Sequence, residues 1–462
     1  MIILLTGATG LVGKELGKAL IKEGHELVVL SQDPSKAQSH LPFPAKVFPW
    51  GASFEELPQD ILNGVEAIIH LAGESIGNGR WTKKRKQKIY ESRILSTRKL
   101  VNAVKAAHLN GSVQLKHFIS ASAIGIYGNR GEEEVNEESS LGNDYLATVC
   151  KDWEKETLAL SELGIRVVNP RIGIVLSAQG GALEKMLLPF GLGFGGVIGL
   201  GRQWMSWIHL EDLVQFFLFT LNNHEIKGCL NAVAPGPVTN KEFSKTLASS
   251  LEKPLLFPIP PLMLKVMLGE MSTLILSGQK VSSAKAQKKG MKFKYPDLQS
   301  ALKEICHPFQ NSQKELLAEQ WVPKKPEDIF PFFSDEKNLE KLTPEFLGFK
   351  VLQKSTPHIH EGTLIDYRLS VHGIPLRWRT RIEDWKPGHQ FVDTQLKGPY
   401  QLWHHTHDFI EFAGGTLMRD RVVYRVPFGW LGDLFAGIKV RSDVTKIFNF
   451  RRKIIFDLFY RS

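Results

Sequence analysis

Near the start of the chain, Gly7, Gly10 and Gly13 fall at every third position in Thr6-Gly7-Ala8-Thr9-Gly10-Leu11-Val12-Gly13. An apolar run, 2–5, precedes them, and an amphipathic pattern, 14–23, follows. A strand, a glycine turn and a helix in that order form a phosphate cradle. The first glycine permits a tight turn, the second lets backbone approach a pyrophosphate, and the third lets helix pack on strand. The helix N-terminus adds unpaired N–H groups and partial positive charge. Thr6, Gly7, Gly10, Leu11, Val12 and Gly13 are therefore candidate dinucleotide contacts. A second strand, 26–30, completes the βαβ context that the motif requires. Where that strand ends, an acid would bind the 2′-hydroxyl of NAD. Here the residues are Ser31 and Gln32, with Asp33 only afterwards. NADP(H) is thus favoured over NAD(H).

Other strand ends carry further chemistry. His70-Leu71-Ala72-Gly73-Glu74 closes a fourth apolar run. Its small Ala72 and Gly73 allow close backbone approach, Glu74 is a candidate substrate contact, and His70 reads as structural. Ser122, after the fifth run, offers a hydroxyl able to orient a substrate oxygen; the alternative is a turn or cap serine. His404, His405 and His407 invite a metal reading. On a strand only His405 and His407 share a face, so a third ligand would have to come from elsewhere, and no metal is expected. Cys150, Cys229 and Cys306 lie far apart, without the spacing of a disulfide framework or a zinc site.

The elements that must position these groups alternate from residue 2 to about 230. Strand candidates are 2–5, 26–30, 45–48, 67–71, 117–121 and 166–170, with helical patterns between them. Such alternation predicts a doubly wound parallel sheet, an α/β Rossmann domain over 1–230. Proline-rich and helical stretches over 231–306 read as a substrate subdomain. The texture then changes, and 314–462 reads as an α+β module: a strand, short helices, a meander (363–371, 376–382, 390–395, 401–412, 416–426) and a long terminal segment, 431–459. Turn signals such as His372-Gly373 separate the strands. At 462 residues, several domains are the natural prior. The net charge of +10 is spread over both halves, so nucleic acid is not an expected partner. No apolar run is long enough for a membrane span. With Met1 abutting a core strand, no leader peptide is expected, and a reducing cytoplasm fits the cysteine usage. The basic, aromatic tail 448–460 leaves contact with a membrane surface as a minor reading. Oligomeric state is not set by the sequence.

TGATGLVG, HLAG, SASAIGIYG and WIHLEDL together resemble the extended short-chain dehydrogenases/reductases, in the epimerase/dehydratase branch. GRWTKKRKQKI, GGALEKMLLPF, GLGRQWMSWIHLEDL and LLSGQKVSSAKAQKKGMKFKYPDLQSAL sharpen the likeness to its poorly characterised, NADP-binding, epimerase-like subgroup, over about residues 1–305. The resemblance adds Leu71, Ala72, Lys88 and Arg93 to the cofactor candidates. It also points Arg171 and His209 toward the substrate cleft; an ion pair with Glu211 or Asp212 and a packed core histidine are their structural alternatives. Such reductases carry Tyr-x-x-x-Lys on a helix. Here Tyr145 is followed at +4 by Val149, while Lys151 stands at +6, roughly 120° round the helix from Tyr145. Tyr145 is therefore expected to be a weak proton donor.

QWVPKKPEDIFPFFSDEKNLEKLTPEF, LWHHTHDF and RDRVVYRVPFG resemble the START-like, helix-grip domains of the polyketide cyclase and coenzyme-Q-binding kind. The resemblance implies an apolar cavity. Trp378, Phe391, Trp403, Phe409 and Tyr424 are its candidate lining, for a lipid, quinone or aromatic polyketide; the alternative is a fully packed core with no ligand. The functional expectation is an NADP(H)-dependent oxidoreductase or epimerase-like protein acting on a small-molecule substrate, with an appended hydrophobic-ligand domain. The rival expectation is a non-catalytic NADP(H)-binding sensor.

Overall fold

The computed structural model describes residues 1–462 except 51–56, 58, 257, 372 and 461–462; His372 of the predicted turn lies outside the described residues. The chain divides into two compact units, Met1–Ala37 with Ala45–His307, and Gln38–Pro44 with Pro308–Ser462.

In the first unit the apolar runs become strands β1 (Ile2–Thr6), β2 (Glu26–Ser31), β3 (Lys46–Pro49), β4 (Val65–His70), β5 (His117–Ser120), β6 (Arg166–Ile172) and β7 (Gly228–Ala232). They pair in parallel in the order β7-β6-β5-β4-β1-β2-β3. A parallel sheet is covered on both faces, which is why its strands are near-continuous apolar runs. Leu4, Val28, Ile68 and Phe118 pack with Leu100 and Val104 of helix α2 (Lys83–Leu109) in one core. Strand order reverses at β1, between β2 and β4, so the ligand crevice opens beyond the carboxyl ends of these strands. Helix α1 spans Leu11–Lys22 and begins earlier than the sequence pattern indicated, because extended Gly10 (φ −77°, ψ 172°) is its N-cap. Strand β4 stops at His70, one residue sooner than expected, because the Leu71 amide turns back onto Thr6. Helices α3 (Tyr145–Leu158) and α4 (Leu210–Asn222) follow. The Asp212 carboxylate on α4 accepts the amides of Lys294 (2.7 Å) and Tyr295 (2.9 Å), tying the C-terminal part of this unit to α4.

The second unit is an antiparallel sheet of β8 (Lys314–Val322), β9 (Lys350–Lys354), β10 (Leu364–Val371), β11 (Ile374–Lys386), β12 (Gln390–Lys397), β13 (Leu402–Phe412) and β14 (Gly415–Arg425), in the order β8-β14-β13-β12-β11-β10-β9. On β11, Trp378, Thr380 and Ile382 are buried while Arg377, Arg379 and Arg381 are exposed, the period-two pattern of a sheet wet on one side. The covered face packs on α5 (Pro326–Phe333) and on the long α6 (Gly429–Phe459) through Ile329, Phe330, Phe333, Ile455 and Phe459. Among the described residues, no helix is long and apolar enough to cross a membrane.

Candidate functional site: a backbone cradle with its side chains already engaged

The cradle is made of backbone. Gly7 has φ +71°, and a Cβ there would lie 2.8 Å from the Leu71 carbonyl carbon; a Cβ on Gly13 would lie 2.2 Å from the Gly7 oxygen. Both positions admit only glycine at these separations. The Gly10 amide donates to the Gly7 carbonyl at 3.0 Å. Gly10 has no side chain to cap α1, so the amides of Leu11, Val12 and Gly13, which have no intrahelical acceptor, remain available to an anion. Thr6 works from behind. Its buried hydroxyl lies 2.7 Å from His70 Nδ1 and accepts the amides of Leu71 (3.2 Å) and Ala72 (3.1 Å). His70 Nε2 lies 2.9 Å from the Thr97 hydroxyl. Burial lowers its pKa to about 4, so His70 is a neutral strut.

At the end of β2, the Ser31 hydroxyl donates to the Asp33 carbonyl (3.2 Å) and accepts its amide (3.3 Å), while Gln32 is exposed. The Asp33 carboxylate takes the Lys36 amide at 3.0 Å, at the start of the next helix. Beyond β4, a Cβ on Gly73 would sit 3.1 Å from Arg93 Cζ. Arg93 Nη1 donates to the carbonyls of Glu74 (3.0 Å) and Ile89 (3.2 Å), and the guanidinium lies over Trp153. Burial lowers the Arg93 pKa. Glu74 is paired with Arg85 Nη1 (2.9 Å) and with Lys88 Nζ (3.3 Å). Burial acts to raise its pKa, but the two cations hold it below the ordinary value.

The proton-handling candidates are occupied. Tyr145 opens α3, donates its phenol to the Lys86 carbonyl (2.6 Å) and packs edge-on against Trp81. Its pKa is raised by burial, against a weaker opposing effect of Arg93. Val149, where an assisting lysine would stand, is buried with Ile94, Ala121 and Trp153. Ser122 donates to Glu154 Oε1 at 2.6 Å. Arg171 holds the same carboxylate with two hydrogen bonds of 2.9 Å, donates to the Tyr127 hydroxyl (3.0 Å) and reaches Cys229 Sγ (3.2 Å). Its partner is therefore Glu154 rather than Glu211 or Asp212. Burial acts to lower the Arg171 pKa, but the bonds and charge of Glu154 raise it. Burial pushes the thiols of Cys150 and Cys229 and the phenol of Tyr127 each up to about 12. His209 caps α4, its Nδ1 accepting the Glu211 amide (3.2 Å), so Nε2 carries the proton and faces Glu304 (3.2 Å). Burial lowers its pKa, outweighing Glu304.

Ser122 and Arg171 thus come together, while Tyr145 and His209 each stand elsewhere. The residue that sequence reasoning missed is Glu154. Its signal was present: it falls on the buried stripe Val149, Cys150, Trp153, Glu154, Thr157 of α3, where an acid needs a buried partner.

In the second unit the predicted cavity-lining aromatics pack on one another. Trp378 meets Trp403 at 5.3 Å between ring centroids, and Phe391 meets Phe409 at 6.2 Å. Trp378 Nε1 is buried without a hydrogen-bond partner. A cleft of about 640 Å³ is lined by Glu336, Lys337, Glu340 and Lys354 among others, and by none of those aromatics. His405 and His407 share the buried face, as the strand period requires, and His404 is only half-buried. They stand beside Asp393, Asp420 and Arg451. Burial acts to lower the His405 pKa, but the two carboxylates raise it; His407 is lowered by burial and by His405.

Residues 3–231 match the NAD dependent epimerase/dehydratase family, residues 259–305 a domain of unknown function (DUF1731), and residues 322–447 the polyketide cyclase / dehydrase and lipid transport family. Epimerase family protein YfhF of Bacillus subtilis is 38% identical over 307 residues, covering 66% of this chain and 98% of the relative. The chloroplastic SDR39U1 homolog of Arabidopsis thaliana, also named an epimerase family protein, is 39% identical over 306 residues, 66% of this chain and 86% of its own length. The crystal structure of human epimerase family protein SDR39U1 with NADPH is similar with a TM-score of 0.58 at 31% identity, over 66% of this chain and 99% of that one. The parallel sheet, the glycine cradle and these likenesses place the chain in the epimerase family, with a polyketide cyclase-like second unit.

Proposed function

We propose that the first unit holds NADP(H) and that the protein couples this cofactor to an oxygen-bearing apolar ligand of the second unit, without turning the cofactor over through a tyrosine acid–base pair. The observation that carries this reading is the contrast within the first unit. The amides of Leu11, Val12 and Gly13 are open to a pyrophosphate, whereas every predicted proton-handling side chain has a protein partner. Tyr145 donates to a carbonyl and Ser122 to Glu154, while His209 caps a helix. Preference for NADP(H) is supported by the absence of a carboxylate at Ser31 and Gln32, and by the NADPH of the human relative. The buried, unpartnered indole N–H of Trp378 supports a ligand with an acceptor oxygen in the second unit. The three cysteines, all free thiols, support a reducing cytoplasm.

One observation favours a second reading, reduction of a lipophilic carbonyl. The phenol of Tyr145 shares a cluster with Leu71 from the cofactor-side strand end. Absorbance at 340 nm, followed with NADPH across a panel of carbonyls and quinones, separates the two. Binding of NADPH without its oxidation is expected. Steady turnover that vanishes in Tyr145→Phe would establish the reductase instead.

A further inference from the structure

The histidines of the second unit sit between carboxylates delivered by neighbouring strands. Asp393 on β12 is directly opposite His405 on β13, and Asp420 on β14 is directly opposite His407. Three neighbouring strands therefore deliver two imidazoles and two carboxylates to one buried point, and α6 adds Arg451 above it. Asp393 Oδ2 lies 3.3 Å from His405 Nδ1 and 3.1 Å from His407 Nε2. One ligand atom from each of these three residues lies within 4.8 Å of the others. The opposite nitrogens, His405 Nε2 and His407 Nδ1, both face Asp420 Oδ1, at 3.1 and 2.7 Å. Arg451 Nη2 lies 3.3 Å from that oxygen and 3.1 Å from His407 Nδ1.

A neutral imidazole has one N–H and one lone pair, and a carboxylate only accepts. Four ring nitrogens here face carboxylate oxygens. Filling all four with protons would put two imidazolium rings with centroids 3.8 Å apart, next to a guanidinium, in a dry interior where like charges repel strongly. One imidazolium, on His405, with His407 Nε2 donating to Asp393 and Arg451 donating to His407 Nδ1, is the proton-held arrangement. If both rings instead stay neutral and donate to Asp420, their remaining lone pairs point at Asp393. Two nitrogens and one carboxylate oxygen then converge with separations of 3.1 and 3.3 Å. Donors roughly 2.0–2.1 Å from a tetrahedral ion stand about 3.3 Å from one another. The Asp420 side supplies what such a ligand set needs, a carboxylate that fixes both ring tautomers, itself held by Arg451.

We propose that Asp393, His405 and His407 bind a divalent first-row transition metal ion of the zinc class, with Asp420 orienting both imidazoles and Arg451 anchoring Asp420. Two imidazoles and one carboxylate suit zinc, and three protein donors leave a position for water or a ligand oxygen. Phe391, stacked on His407 with centroids 4.3 Å apart, belongs to the aromatic core of the same sheet face. A metal here would meet the oxygen of an apolar ligand. The site goes beyond the cofactor reading and is independent of it.

The test uses the full chain, purified without chelators. Metal analysis before and after dialysis against zinc, and the visible spectrum after replacement by Co²⁺, are measured on wild type, His405→Gln and Asp420→Asn, with circular dichroism as the folding control. Close to one zinc per chain is expected, together with a tetrahedral Co²⁺ band lacking thiolate charge transfer. His405→Gln should lose at least tenfold in zinc affinity, and Asp420→Asn should lose less. If His405→Gln fails to fold, the wild-type stoichiometry and spectrum decide alone. Folded wild type that retains no metal and gives no Co²⁺ band would overturn the proposal and leave a proton-held ion network. A band unchanged in folded His405→Gln would overturn it equally, by placing the ion elsewhere.

Discussion

His70 in the first unit and the His405–His407 pair in the second are all shut away from solvent, yet their neighbours differ in kind. His70 lies between two hydroxyls, Thr6 and Thr97. A hydroxyl both donates and accepts, so one neutral ring satisfies both contacts and nothing further is required. His405 and His407 face carboxylates on both sides, which only accept, so two neutral rings leave ring nitrogens facing a carboxylate without a proton, and either one more proton or a metal ion closes the group. The same residue type is thus a structural strut in one unit and a candidate ligand in the other, and its partners decide which. The Ser122–Glu154–Arg171 group repeats the first pattern: one carboxylate, one guanidinium and one hydroxyl, with their hydrogen bonds met.

Breaking a closed group should cost most. Glu154→Ala leaves Arg171 buried and unpaired, and should destabilise the first unit by about 3–5 kcal/mol, read from chemical denaturation; a loss under about 1 kcal/mol would mean that water reaches the guanidinium. His70 gives the next effect. Its folded pKa is about 4 against 6.5 unfolded, so the unfolded chain binds the extra proton between those values. Stability is fully present above pH 6.5 and falls by about 3 kcal/mol as pH drops through that window. Denaturation of wild type and His70→Gln across pH 7.5 to 4.5 checks this, since the variant should lose that slope. A chelator should sharpen the contrast between the units. EDTA should weaken the second unit by roughly 2–3 kcal/mol, the linkage from a ligand about 100-fold above its Kd, and leave the first unchanged. The smallest effect concerns cofactor choice. Ser31→Asp sets a carboxylate where a 2′-phosphate would lie, and should weaken NADPH about tenfold, roughly 1.4 kcal/mol, without weakening NADH.

How much could be read in advance follows the same division. The cradle was legible because it is backbone. Gly7 and Gly13 are fixed by approaches that admit no Cβ, and such constraints leave glycines at fixed spacing. The alternating arginines of β11 likewise marked its wet face. Side-chain chemistry was less legible because types do not reveal partners. Arg171 looked like a cleft residue until Glu154, on a different element, took it. The HxH pair looked one ligand short because Asp393 comes from the next strand, and only register brings it opposite His405. Thr6 was read as a cofactor contact, yet its hydroxyl is spent on the end of β4, a link that sequence separation hides.

The most direct test of the cofactor cradle is a calorimetric titration of the full chain with NADPH and with NADH, alongside Gly10→Asp, which sets a negative charge at the N-cap of α1. Saturable heat with NADPH, weaker binding of NADH and loss of both in folded Gly10→Asp are the predicted results. No heat with either cofactor, or heat unchanged in Gly10→Asp, would contradict the account.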